Sequence, residues 1–342
     1  MKELIKNTSI KILAEKLNLS KGTISKALKD SYEISTATKI KVLEAAKELN
    51  YVPNHFASGL KSKKSKNIAV IIPEIVDSFF SLAIDGIEKT VQENDFHISI
   101  HITNDLLSKE INIVNTLLGG RVDGVLISIS NENSDYAHLK KLIDANIPVV
   151  FFDRDLEIVN STKVLTNDFE SGYLATKHLI DSGCANIYFL STSNCLSIIN
   201  KRFEGFKLAL NEHGINSTED FYIHFDNQEN TILKLRNLFS RRMKKPDSVI
   251  ASVESLIIPI YNTCKELNIQ IPNALKVIGF SNLPYANILS PSLSTITQPA
   301  FEIGCRSAEI ICRAIINNKE VEKETIICNS ILEKRLSSYF ED

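Results

Sequence analysis

The residues near the start of the chain that are best suited to contact a ligand share one face of a short predicted helix. They are Lys21, Gly22, Thr23, Ser25 and Lys26. Ile24, Ala27 and Leu28 occupy the inward face of this helix, and Ser20 is a suitable N-cap. A short polar helix with cationic side chains in its first turns is typical of a segment that reads the DNA major groove. A helical hairpin with a solvated polar face is the alternative.

Two further helices are predicted to position this segment. The first carries apolar residues at helical spacing, namely Ile10, Leu13, Ala14 and Leu17. Asn18 tolerates the left-handed conformation of a tight turn, and Leu19 inserts an apolar side chain. A third helix begins at Ser35 and ends before Pro53 because proline cannot continue it. Its inner stripe is predicted to consist of Ile40, Leu43 and Ala46. Together the three helices predict a small helical domain.

Charge is distributed unevenly between this segment and the rest of the chain. Residues 1–66 hold fourteen lysines and six acidic residues, a formal charge of +8, whereas the remainder carries −10. A basic head on an acidic body is typical of a nucleic-acid-binding unit joined to a part that avoids the phosphate backbone.

Composition bounds the class of protein. A length of 342 residues with 44% hydrophobic residues predicts a soluble chain of more than one domain. The six cysteines have no C-x-x-C spacing, which indicates buried, reduced thiols rather than a metal or redox site. No signal peptide or membrane-length apolar run is evident, so a cytoplasmic protein without a membrane partner is expected.

From Asn67 onward, short apolar runs alternate with amphipathic helical patterns. The predicted strands are 68–72, 97–102, 122–128, 147–152, 186–190, 248–252 and 275–280. Strands separated by helices predict doubly wound, mostly parallel sheets. No eightfold repeat is present, so two similar α/β subdomains are favoured over a barrel.

Several motifs in residues 9–60 resemble the headpiece and hinge of the lactose-repressor (LacI/GalR) family of bacterial transcription regulators. They are S-I-K-I-L-A, L-S-K-G-T-I-S-K-A-L, E-I-S-T-A-T-K, L-N-Y-V-P-N and A-S-G-L, without gaps between the blocks. The body is similar to the periplasmic-binding-protein-like sensor of that family. The resemblance implies an all-α helix-turn-helix headpiece at 1–52, a hinge at 53–66 and an effector-binding and dimerisation domain at 67–342. Within the last, it implies an N-subdomain of about 67–164 plus 295–325 and a C-subdomain of about 165–294 plus 328–342.

The resemblance assigns three groups of DNA contacts. Lys21, Gly22 and Lys26 match positions that read bases, although Lys26 stands where an arginine is usual. Hydroxyl, phenol and amide side chains match positions that bind phosphates, which fix register rather than sequence. They are Ser9, Ser20, Thr23, Ser25, Ser35, Tyr51 and Asn54. Ala57 and Leu60 match hinge residues that enter the minor groove and kink the duplex.

The effector is expected in the cleft between the subdomains, beyond the carboxyl ends of the strands. The residues assigned to it are Asp77, Phe79, Phe80, Asp153, Arg154, Asn167, Asp168, Arg202 and Ser281. Phe79 is favoured over Phe80, which also fits a helical core stripe. Ser281 stands where many relatives carry a ligand-binding aspartate. For Arg202 and Asp168 the alternative role is a salt bridge that ties the cleft walls.

These features predict a homodimeric transcription regulator, a repressor, that binds a palindromic DNA operator under control of a small effector such as a sugar. Because the chain ends soon after Glu333 without heptads, dimers are expected rather than zipper-made tetramers. A ligand-binding protein of transport type without gene regulation is one alternative. An enzyme is another, but the nucleotide, hydrolase and metalloprotease motifs are absent, so no cofactor, catalytic residue or metal site is predicted.

Overall fold

The structure is a computed structural model that describes residues 9–51, 65–119, 122–130, 136–154, 161–192, 196–215, 221–225 and 228–339. The chain divides into two compact units, Met1–Ser65 and Lys66–Asp342, and each is described by itself. Among the described residues, no helix combines the length and the apolar character needed to cross a bilayer.

The first unit contains the three predicted helices, α1 (Ile10–Leu17), α2 (Lys21–Leu28) and α3 (Thr36–Glu48). Asn18 adopts the expected left-handed conformation at φ 53° after α1. The core is centred on one fully buried side chain from each helix, Leu13, Ile24 and Val42.

The predicted inner stripe of α3 is wrong in part. Ile40 and Leu43 are 50% and 54% exposed, whereas Val42, Ala45 and Ala46 are buried. Both stripes have helical spacing and both include Ala46, so periodicity alone does not choose between them. Packing against α1 and α2 selects the stripe centred on Val42.

The second unit holds two six-stranded sheets. The strands are β1 (Asn67–Ile72), β2 (His97–Ile102), β3 (Gly124–Ile127), β4 (Val149–Phe152), β5 (Thr162–Thr166), β6 (Ile187–Ser191), β7 (Tyr222–His224), β8 (Ser248–Ala251), β9 (Lys276–Phe280), β10 (Ser294–Thr297), β11 (Thr325–Cys328) and β12 (Ile331–Glu333). Their order is β11-β5-β4-β3-β1-β2 in the first sheet and β12-β10-β9-β8-β6-β7 in the second. The pairings among described residues are parallel, except that β10 and β12 are antiparallel.

Helices cover these sheets, as the doubly wound prediction requires. They are α4 (Ser78–Glu93), α5 (Leu107–Leu117), α6 (Ala137–Asp144), α7 (Asp168–Asp181), α8 (Ser197–Glu212), α9 (Gln228–Phe239), α10 (Ile257–Glu266) and α11 (Ala300–Asn317). The largest apolar cluster packs on the second sheet, and two others cover opposite faces of the first. Each sheet with its helices forms a separate subdomain.

The chain passes between the subdomains after β5, β10 and β11. Thr166 and Cys328 still belong to the first sheet, although the N-subdomain was predicted to end at 164 and 325. Thr297 belongs to the second sheet, although the crossing was predicted at about 294/295. The strands on either side are short and pair with different sheets, so their ends depend on tertiary pairing that sequence patterns do not show.

Candidate functional sites

The outer face of α2 presents the predicted base-reading residues to solvent. Lys21, Gly22 and Lys26 are exposed, and a Cβ on Gly22 would meet a single neighbour, Ser20 Oγ at 3.6 Å. The Nζ of Lys26 forms an ion pair with Glu33. Because both partners are exposed, this pair is worth little and a DNA contact can replace it.

Two serines of the first unit serve as helix caps. Ser20 Oγ accepts a hydrogen bond from the Thr23 N–H at 3.0 Å, and Ser35 Oγ accepts one from the Thr38 N–H at 3.3 Å. Each serine hydroxyl also lies 2.9 Å from the hydroxyl of the same threonine. The N-caps are therefore confirmed, and they fix the first turns of α2 and α3.

The other predicted DNA contacts differ in their exposure and in whether they lie among the described residues. Ser9 precedes α1, is exposed and makes no side-chain cap bond, so its hydroxyl is available. Ser25 is half-buried on α2, and Tyr51 is half-buried with a phenol pKa raised by burial. Asn54, Ala57 and Leu60 lie outside the described residues.

In the second unit, a cavity of about 250 Å³ is lined by side chains from both subdomains. Its residues follow the carboxyl ends of strands in both sheets, where ligands bind in open parallel sheets. The lining residues are Glu74, Asp77, Phe79, Phe80, Asp105, Asp153, Arg154, Thr192, Leu196, Ile198, Arg202, Val253, Glu254, Ser255, Phe280, Ser281 and Gln298.

Seven of the nine predicted effector residues line this cavity. They are Asp77, Phe79, Phe80, Asp153, Arg154, Arg202 and Ser281. The rings of Phe79 and Phe80 are equally buried and lie edge to face, with centroids 5.3 Å apart. Both border the cavity, so the structure gives no reason to prefer Phe79.

Asn167 and Asp168 do not line the cavity, contrary to their predicted role. Asn167 Oδ1 accepts hydrogen bonds from the Ser330 N–H at 2.8 Å and from the Ser171 hydroxyl at 3.2 Å. It thereby joins the first and third passages between the subdomains. Asp168 is buried and contacts Arg202, because the first turn of α7 packs against α8.

Arg202 is held by groups on three elements. Its Nε donates to Asp168 Oδ1 at 2.7 Å, and its Nη1 donates to the Ser252 carbonyl at 2.6 Å. Its guanidinium carbon lies 4.2 Å from the centre of the Phe280 ring. The ion pair with Asp168 lies within one subdomain, so it orients Arg202 and does not tie the two walls together.

A close helix crossing sets the position of Arg202. At Gly172 on α7, a Cβ would lie 2.0 Å from the Arg202 carbonyl oxygen, and at Gly205 on α8 it would lie 2.0 Å from the Phe169 carbonyl oxygen. No side chain fits at these distances, so both glycines are needed for the helices to approach. The crossing brings Asp168 and Arg202 into contact.

Glu254 is a site residue that the sequence analysis missed. Its carboxylate accepts hydrogen bonds from the Ser78 N–H at 3.0 Å and from the Ser78 hydroxyl, at the start of α4 in the first subdomain. It also accepts from the Ser281 hydroxyl at 2.7 Å and the Asn282 N–H at 3.1 Å in the second. Glu254 thus bridges the cleft and supplies a carboxylate beside Ser281. Glu254 lies shortly after the carboxyl end of β8, as Asp153 lies after the end of β4. A position just after a strand is the sequence signal that would have identified Glu254.

Carboxyl groups in the cavity have raised pKa values. Burial, the Glu254 carboxylate and other acids raise the pKa of Asp77 to about 7, against a hydrogen bond from the Phe79 N–H. Burial also raises the pKa of Asp153 to about 6, although Arg154 opposes the shift. The pKa of Glu74 is raised by desolvation and by Asp105. Among the described residues, no group of three or more side chains could hold a metal ion.

A helical head with a polar, cationic recognition face and a two-lobed α/β body with a cavity between its lobes define a ligand-responsive DNA-binding regulator. Comparison with known families agrees. Residues 9–54 match the bacterial regulatory proteins of the lacI family, and residues 176–338 match a periplasmic binding protein-like domain. The chain is 30% identical over 317 residues to the HTH-type transcriptional repressor PurR of Vibrio atlanticus, covering 92% of this chain and 94% of that protein. The chain belongs to the LacI family of bacterial transcription regulators.

Solved structures support the same assignment. A LacI-family regulator from Silicibacter pomeroyi superposes with a TM-score of 0.81 at 25% identity, covering 96% of this chain and 99% of that one. A LacI-family regulator from Enterococcus faecium with bound ribose gives 0.70 at 27% identity, covering 80% and 98%. The relatives are transcription regulators rather than enzymes.

Proposed function

We propose that this regulator represses transcription as a homodimer on a palindromic operator, and that a small effector in the cavity sets its affinity for DNA. The observation that carries the proposal is the cavity itself, because polar groups of both subdomains line one shared space. A ligand there contacts both lobes and changes the balance between open and closed forms, provided it binds one form better.

DNA recognition is assigned to α2. Lys21 and Lys26 donate to base edges in the major groove, and Gly22 permits close approach of the helix. Ser9, Ser20, Thr23, Ser25, Ser35, Tyr51 and Asn54 bind phosphates, and Ala57 and Leu60 enter the minor groove. A protein with this function works in the cytoplasm, where bacterial DNA is located.

Exposed apolar side chains support a second copy of this chain as partner. In the first subdomain, Val76 is 86% exposed, and Ile100 and Ile102 are exposed on the edge strand β2. In the second, Ile288 is 77% exposed and Tyr285 is 44% exposed. Large exposed apolar groups on an edge strand favour a protein interface, and a two-fold homodimer is the commonest assembly.

The effector class follows from the cavity and from one relative. Phe79, Phe80 and Phe280 offer apolar ring faces, while Arg202 and Ser281 offer polar atoms, a combination that suits a sugar. The structure from Enterococcus faecium holds ribose. We therefore assign a sugar or a related small metabolite to the cavity.

Selection of random double-stranded DNA by the purified protein at fixed salt tests the DNA-binding part of the proposal. The proposal predicts a palindromic consensus bound by two chains, with the mass of the free protein in solution corresponding to a dimer. A consensus without two-fold symmetry, or one bound by a single chain, contradicts it.

A further inference from the structure

Negative charge exceeds positive charge in the cavity. Five carboxylates line it, from Glu74, Asp77, Asp105, Asp153 and Glu254. Two guanidinium groups oppose them, from Arg154 and Arg202, and no lysine or histidine is among the described residues of the lining. The lining therefore has more carboxylates than its guanidinium groups can neutralise.

Both arginines already have carboxylate partners. Arg154 donates through Nη1 to Asp105 Oδ1 and through Nη2 to Asp105 Oδ2 at 3.5 Å, and its Nε lies 3.7 Å from Asp153 Oδ2. Arg202 forms an ion pair with Asp168, which does not itself line the cavity. A phosphate or carboxylate entering the cavity would approach Asp77 and Glu254, and it would compete with Asp105 for the Nη groups of Arg154 and with Asp168 for the Nε of Arg202. The Nε of Arg154 has no hydrogen-bond partner among the described residues, but it lies beside the Asp153 carboxylate.

The carboxylates of the cavity differ in how many hydrogen bonds they accept. Glu254 accepts four hydrogen bonds, so its charge is well satisfied. Asp77 accepts one hydrogen bond, from the Phe79 N–H, and Asp153 accepts one, from the Ser128 hydroxyl at 3.1 Å. Burial raises the pKa of both acids, and the pKa of Asp153 stays raised although Arg154 and Arg202 oppose the shift.

A second, independent feature of the cavity points to a ligand. Gln298 lines the cavity, is 7% exposed, and its side-chain Nε2 has no hydrogen-bond partner among the described residues. An unpaired buried amide is costly, so a ligand oxygen that accepts from it is favoured. The residues of the lining thus combine carboxylate acceptors for a cation with an amide donor that has no partner among the described residues.

We infer that the effector is a small polyhydroxylated compound that carries a protonated amine, with its ammonium group between Asp77 and Asp153 and a hydroxyl group at Gln298. The volume of about 250 Å³ is large enough for a monosaccharide. An ammonium group donates three hydrogen bonds, which suit the free acceptor capacity of two carboxylates. This inference rests on the proposed function, since it names the chemistry of the same effector.

The test compares matched sugars that differ in charge at one position. Binding of D-glucosamine, N-acetyl-D-glucosamine, D-glucose and D-glucuronate to the full chain is measured by calorimetry, at about pH 7, below the ~7.7–8.0 pKa of an α-amino group. The corresponding galactose series is measured in parallel. In the glucose series or in the galactose series, the amino sugar should bind at least about tenfold more tightly than the neutral sugar and the N-acetylated sugar of the same series. The uronates should bind more weakly still.

Two variants identify the carboxylates responsible. Asp77→Asn with Asp153→Asn keeps the side-chain shape and the cap of α4 while removing two charges, so the preference for the amine should fall at least about fivefold. Glu93→Gln removes a charge from the far, exposed end of α4 and should leave the preference unchanged. Melting curves and operator binding verify that each variant is folded.

Three results would overturn the inference. These are equal or tighter binding of a neutral sugar or a uronate, no binding by either amine, and an amine preference that survives in the folded double variant. Each leaves the proposed function intact, because the operator selection contains no effector. Loss of the palindromic consensus, in contrast, contradicts the proposed function without bearing on the amine.

Discussion

At the scale of single residues, hydroxyl caps and paired charges place the functional side chains. The caps at Ser20 and Ser35 were predictable because each is a hydroxyl residue directly before a helical pattern. The pair between Arg202 and Asp168 was anticipated as an alternative, but its place inside one subdomain was not. Glu254 was missed although it lies just after a predicted strand, and what the sequence does not show is that its carboxylate reaches a serine 176 positions away.

Lys21 and Thr23 should affect DNA binding in different ways. Lys21→Ala removes a base donor, so it should change the selected base at its position and cost about 1–3 kcal/mol on the preferred site. Thr23→Ala removes a phosphate contact and should weaken all sites alike, since the cap bond uses the Thr23 N–H. Selections with each variant measure both effects.

Lys41→Ala is the matched control for that comparison, because Lys41 is an exposed lysine on α3. It removes the same charge and should leave the base preference unchanged. If Lys21→Ala also leaves the preference unchanged, Lys21 does not read a base.

Asp77 should make stability depend on pH. Its pKa is raised in the folded protein from 3.8 to about 7, so the folded state binds the proton more tightly than the unfolded state. The contribution of Asp77 is therefore favourable at low pH and is lost as pH rises through about 7. Asp77→Asn should raise the melting temperature at about pH 8 by ~2–4 °C, and the difference should vanish toward pH 4.

Melting curves of wild type and variant across this pH range provide the measurement. Asparagine still caps α4, so the comparison isolates the charge. A variant that is equally stabilised at pH 4 and pH 8, or destabilised at pH 8, would show that Asp77 is not an unfavourable buried charge.

At the scale of elements, strands within continuous apolar runs were predictable even at four residues, as β3, β4 and β8 were. Apolar runs such as 68–72 and 97–102 marked β1 and β2 closely. β5, β7, β10, β11 and β12 have three to five residues each and were not predicted. Several carry polar or charged residues, and their conformation depends on pairing within the sheet rather than on local preference.

Gly172→Ala should separate α7 from α8. The added Cβ would lie 2.0 Å from the Arg202 carbonyl oxygen, so the helices must move apart at the point that positions Arg202. We expect a loss of about 1–3 kcal/mol in the free energy of unfolding, together with weaker effector binding. Denaturant unfolding and calorimetry measure the two effects.

Glu170→Gln, on the exposed side of α7, is the control and should change stability by less than about 0.5 kcal/mol. Wild-type stability in Gly172→Ala would mean that the helices do not approach as closely as described.

At the scale of the whole molecule, the architecture was predictable because patterns at several levels agreed. A +8 head, three helical segments and alternating α/β elements all indicated a DNA-binding unit on a ligand-binding body. The network across the cleft was not predictable, because its members come from distant parts of the chain.

We propose that closure of the cleft controls operator affinity, and the substitution Glu254→Ala is the test. The substitution removes the carboxylate that joins Ser78 to Ser281 and Asn282 across the cleft. Fluorescence anisotropy with the selected operator, and with unrelated DNA, compares it with Glu266→Ala, an exposed acid on α10. Glu254→Ala should change operator affinity at least about fivefold while affinity for unrelated DNA stays constant. Unchanged operator affinity in a folded Glu254→Ala protein would contradict the claim.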